Sequence, residues 1–117
     1  MIPKNSKEEI IQRLLVTKQK AISMKVRLLL RDKKDDAKKV RKKSRALSRQ
    51  IDKLLGQVMD EWQDQGTKII KEIKTVNSAL QKSITNIKKN VKTAQNIVKA
   101  IGLIDDAIAI AKRLTLI

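Results

Sequence analysis

The stretch AKKVRKKSRALSRQIDKLLGQV, residues 37–58, decides how the rest of the chain is read. Within it Ala37, Val40, Ser44, Leu47, Ile51, Leu54 and Val58 recur at alternating steps of three and four. That spacing lays one continuous seam along an α-helix. The other positions carry Lys38, Lys39, Arg41, Lys42, Lys43, Arg45, Arg49 and Lys53, with no acid between Asp36 and Asp52. One surface is therefore expected to be buried against other helices, and the opposite one to be a dense positive field.

Working outward, the whole chain shares this imbalance. Its 117 residues include 28 Lys and Arg against 12 Asp and Glu, for a formal charge of +16. A charge of that size repels itself in the folded state, and it implies a polyanionic or acidic partner. The length suits one domain with a modest core. Trp62 is the only aromatic, so Leu, Ile, Val, Ala and Met must fill the interior. Such residues suit helix–helix seams. Three Gly and one Pro leave too few turn residues for a sheet protein.

The expected fold is all-α: an elongated antiparallel helical bundle, or coiled-coil hairpin, of three long helices plus a short C-terminal one. All 117 residues are read as a single domain. Ser6 and Glu9 match a capping box ahead of a first helix over about 6–31. Its seam is Ile10, Leu14, Thr17, Ala21, Met24 and Leu28, and Ile11, Leu15, Ile22 and Leu29 form a second stripe that would meet another partner helix. The seam loses phase between Leu28 and Ala37, where Asp35 or Asp36 could cap a second helix over about 36–64. A continuous helix from Ser6 to about Trp62 fits the same residues, since no Gly or Pro enforces the break. Gly56 falls inside the second helix, off the seam, and Gly66 suits a left-handed stop after it.

A third helix is expected over about 67–101, with Ile70, Ile73, Asn77, Leu80, Ile84, Ile87, Val91, Ala94, Val98 and Ile101 on one alternation. Ile69, Val76 and Ile97 widen this face. At 1.5 Å per residue the helix would reach roughly 50 Å, and would pair with the second as an antiparallel hairpin. Gly102 interrupts the pattern, and Asp105 or Asp106 would cap a short helix over about 105–114 with Ile104, Ile108, Ala111 and Leu114 on its apolar face.

Little chemistry is open to this composition. His and Cys are both absent, which removes the commonest general base, the best nucleophile and the commonest metal ligands. The carboxylate pairs Asp35/Asp36, Asp60/Asp64 and Asp105/Asp106 read as helix caps and surface charge rather than as oxygen ligands for a cation. No enzyme activity, cofactor or metal is expected. No stretch approaches the roughly twenty apolar residues of a membrane span, and no apolar leader is visible near the start. A cytoplasmic location is the expectation.

Three binding functions fit. In the first, Lys38, Lys42, Arg45, Arg49 and Lys53 share one helical stripe that follows a nucleic-acid backbone, with Lys88, Lys89 and Lys92 adding charge. Lys82 and Lys99 lie near those three in sequence. Without interleaved aromatics or a base-reading motif, such binding would be indifferent to sequence. In the second, the chain is an assembly or adaptor protein that pairs with an acidic protein or with copies of itself. Trp62, Ile108 and Leu114 are then the candidate partner contacts. The third and weakest is a membrane surface, with the segment from Ile101 to Ile117 inserting, against which Asp105 and Asp106 count.

Overall fold

Four helices of nearly equal length make up the described residues. The computed structural model describes residues 6–56 and 66–115. Helix α1 spans Ser6–Leu30, α2 Lys34–Leu55, α3 Gly66–Lys88 and α4 Thr93–Thr115. The seam of residues 37–58 behaves as its spacing requires as far as it is described. Ala37, Val40, Ser44, Leu47, Ile51 and Leu54 are all buried. So are Ile10, Leu14, Thr17, Ala21, Met24 and Leu28 of α1.

Three cross-links set the direction of α1 against α3. Thr17 meets Asn77, Lys20 Nζ donates to Gln81 Oε1 at 2.6 Å, and Arg31 donates to the Lys88 carbonyl at 2.7 Å. Residue numbers rise together, so α1 and α3 run parallel. The chain reverses after each of them, so α2 packs antiparallel to α1, and α4 antiparallel to α3. Helix α2 in turn lies beside α4, and the order around the bundle is α1, α2, α4, α3. Overall extents are 45 × 25 × 16 Å.

This is a four-helix bundle, not an elongated hairpin, and its last helix is not short. The expected third helix over 67–101 divides at residues 89–92 into α3 and α4. Asn90 (φ 59°) is the pivot. The Val91 amide donates to the Asn86 carbonyl at 2.8 Å, and the Asn90 amide to Ile87 at 3.1 Å. That pair of bonds satisfies the last carbonyls of α3, with the left-handed residue just past its end. Asparagine tolerates this conformation because its short polar side chain bonds locally; here Asn90 Oδ1 accepts from the Thr93 hydroxyl at 2.7 Å.

Beyond the pivot the buried face moves to Ile97, Ala100, Ile104, Ala107, Ile108, Ala111 and Leu114, leaving Val91, Ala94 and Val98 exposed. Gly102 therefore sits in mid-helix on the outside, and Asp105 and Asp106 are interior to α4 rather than capping it.

The α1–α2 turn uses the same device. Lys33 N–H donates to Leu28 at 2.9 Å and Asp32 N–H to Leu29 at 3.1 Å, with Asp32 left-handed (φ 60°). The break between the first two helices is thus real. Lys33 is the N-cap of α2 and makes no side-chain cap bond, so Asp35 and Asp36 act as first-turn charges and not as caps. At the other end of α2, Gly56 is the C-cap, where the expectation placed it mid-helix. Gly66 is the first residue of α3, where the expectation placed it as a stop ahead of that helix. The expected stretch of helix 2 from 57 to 64, the Asp60/Asp64 pair and Trp62 lie outside the described residues. At the start of α1, Glu9 accepts from Arg13 at 3.0 Å.

Candidate nucleic-acid interface

Helix α2 is built from good helix formers, and its amphipathicity follows from two populations of residue. The apolar seam repeats with the helical period, while Lys and Arg fill most of the remaining positions between Lys38 and Lys53. At 3.6 residues per turn, Lys38, Lys42, Arg45, Arg49 and Lys53 cluster on the side roughly opposite the seam. All five are exposed. None makes an ion pair or side-chain hydrogen bond with another described residue. From Lys38 to Lys53 the row covers roughly 22 Å of a helix anchored by its buried seam.

The basic residues on the flanks of α2 face its neighbours. Lys43 turns toward α4 and pairs with Asp105 at 2.7 Å. Arg41 turns toward α1, where it shares a cleft of about 380 Å³ with Lys25, Leu29, Lys34, Ala37 and Lys38. The outer row thus keeps its charge free, while Lys43 is partly neutralised. Like charges four apart, such as Lys38/Lys42, Arg45/Arg49 and Arg49/Lys53, cost an isolated helix about 0.2–0.5 kcal/mol per pair. Burial of the seam against α1 and α4 holds α2 in place against that repulsion.

Lys88, Lys89 and Lys92 do not continue this row. They lie exposed at the end of α3 and in the turn before α4. The Arg31 bond to the Lys88 carbonyl places that turn at the same end of the bundle as the α1–α2 turn. The eight candidates therefore form a row along α2 and a separate cluster at one end. The spacing of residues along the sequence did not bring out Arg31, Lys33 and Lys34, which share that end with Asp32, Asp35 and Asp36. Only the pairing of the two turns reveals the grouping. Lys82 and Lys99 are exposed on α3 and α4.

Of the candidate partner contacts, Ile108 and Leu114 are in the bundle core, at 8% and 1% exposure. Their burial also covers the apolar face that would have inserted in a membrane. Trp62 is outside the described residues. The second stripe of α1 divides: Ile11 is buried, whereas Leu15, Ile22 and Leu29 reach the surface. Among the described residues, no three acidic side chains gather as a group that could hold a metal ion. No helix there is long and apolar enough to cross a membrane. No protein family, no curated protein and no solved structure matches this chain.

Proposed function

We propose that the protein is a non-enzymatic binder of nucleic-acid backbone, with the outer face of α2 as its contact surface and no preference for base sequence. The observation that carries this reading is the row Lys38, Lys42, Arg45, Arg49 and Lys53, exposed, without described partners, and mounted opposite a buried seam. A rigid row of cations follows a phosphate backbone and releases condensed counterions, which supplies sequence-independent affinity. The row has no aromatic on which bases could stack and belongs to no base-reading motif, which favours contacts to phosphate over contacts to bases. Lys88, Lys89 and Lys92, at one end of the bundle, would meet a neighbouring phosphate segment, so that the protein serves as an accessory subunit within a larger nucleic-acid complex.

The direct test is charge reversal on the exposed face. Arg45→Glu combined with Arg49→Glu should weaken duplex binding at low salt by about a hundredfold or more, since four units of charge change within one row. Helicity by circular dichroism should be retained, because neither side chain contacts the core. Undiminished binding by that variant would remove α2 as the contact surface.

A further inference from the structure

Helix α1 carries an apolar stripe that the bundle does not use. Leu15, Ile22, Val26 and Leu29 are spaced by seven, four and three, so they lie on one side of the helix, away from its buried seam. Each is between 39% and 50% exposed. The stripe runs about 21 Å along α1 and ends at the cleft between α1 and α2, where Leu29 and Ala37 form the floor. Lys25, Lys34, Lys38 and Arg41 rim that cleft, and no acidic residue lines it.

Scattered exposed leucines mean little, but an aligned row of four beside a basic-rimmed cleft is an interaction surface. We infer that the α1–α2 face docks an acidic amphipathic helix of a partner protein, whose apolar side chains lie along Leu15, Ile22, Val26 and Leu29 and whose carboxylates meet the rim. Three observations select this occupant. The spacing of the stripe matches the three- and four-residue anchors by which one helix lies on another. The rim is uniformly positive, so an acidic partner is favoured and a second copy of this chain, itself +16, is repelled. The apolar side chains are half-covered and the stripe reaches a concavity at Leu29, a form that accepts a rod lying along α1. This inference is independent of the nucleic-acid reading, although Lys38 belongs to both surfaces.

The test uses the full chain and a labelled synthetic helix of about 18 residues, with Leu at three–four spacing and Glu at the outer positions. A control peptide has the same composition scrambled so that no apolar face forms. The expected result is micromolar binding of the amphipathic peptide, at least tenfold tighter than the control. Amide chemical-shift changes should centre on Ile22, Val26, Leu29 and Ala37. Ile22→Gln with Val26→Gln leaves the charge untouched; it should weaken peptide binding at least tenfold while duplex binding stays the same. Leu29→Gln alone serves if the double variant does not fold. Equal binding of the scrambled peptide, or shifts confined to Arg45 and Arg49, would reduce the contact to charge and overturn the proposal. Absence of peptide binding together with capture on anionic phosphatidylglycerol vesicles, lost in the same variants, would overturn it in favour of a lipid surface.

Discussion

Asn77 of α3 and Thr17 of α1 are hydrogen-bonded to each other among the buried apolar side chains of the bundle core. The Thr17 hydroxyl bonds to the Asn77 side-chain carbonyl, and Asn77 Nδ2 donates to the Arg13 backbone carbonyl at 3.1 Å. Thr17 is fully buried and Asn77 nearly so. A polar pair at this depth locks one layer of α1 opposite one layer of α3. It thereby favours the parallel, in-register alignment over a slipped one.

Removing one partner should cost more than removing both. Asn77→Ala leaves a cavity and takes away both Asn77 bonds, to Thr17 and to the Arg13 carbonyl, while the Thr17 hydroxyl keeps the Arg13 carbonyl at 3.1 Å, for a loss of about 2–4 kcal/mol. Thr17→Val with Asn77→Leu should recover most of that loss, because apolar groups then replace both members of the pair. Chemical denaturation of the three proteins checks the order. A double variant as unstable as the single one would show that shape, and not hydrogen bonding, governs this layer.

Gly102 offers the simplest stabilising change. It sits in the middle of α4, exposed, and a Cβ placed there meets nothing within 4 Å. Gly102→Ala should raise stability by about 0.5–1 kcal/mol through helix propensity and a less flexible unfolded chain. A rise of several degrees in the thermal midpoint is the expected reading.

Asp32 carries the left-handed turn between α1 and α2 (φ 60°) with a side chain that is almost entirely exposed. Its Lys34 contact at 4.0 Å is too exposed to contribute much. Asp32→Gly removes the Cβ penalty of that conformation and should stabilise the bundle by up to about 1 kcal/mol. Asp32→Val, β-branched at the same φ, should destabilise it by more than that. Thermal unfolding distinguishes the two.

Repulsion along the outer face of α2 makes the bundle sensitive to ionic strength. Screening shortens to about 8 Å at 0.15 M salt, less than the length of the row. Added sodium chloride should therefore raise the thermal midpoint from its low-salt value, and a short DNA duplex at low salt should raise it further. A midpoint that falls with salt would mean that attractive pairs such as Lys43–Asp105 outweigh the repulsion.

What the sequence disclosed and what it concealed separate along physical lines. Buried seams in α1, α2 and α3 were readable because apolar residues there keep the helical period. The break between α3 and α4 was not, because Val91, Ala94, Val98 and Ile101 prolong the same alternation past the turn. The true face of α4 is displaced by one residue, onto Ile97, Ala100 and Ile104. The only local sign of the break was Asn90 after two lysines, an asparagine at a left-handed position preceded by basic residues at a helix end. Gly102 then drew the boundary to the wrong place, since its propensity cost is overridden by the packing of α4. On the candidate surface, the row on α2 was visible in the spacing of its lysines and arginines. The cleft between α1 and α2 was not, because it depends on which flank of each helix meets the other.

The most direct measurement is a binding titration of the intact chain with a labelled random-sequence DNA duplex, repeated across a salt series. The row on α2 predicts a log–log salt slope of about −4.5, five neutralised phosphates at −0.9 each, with the same affinity for unrelated sequences. Absence of binding even at low salt, or binding indifferent to salt, would contradict the account.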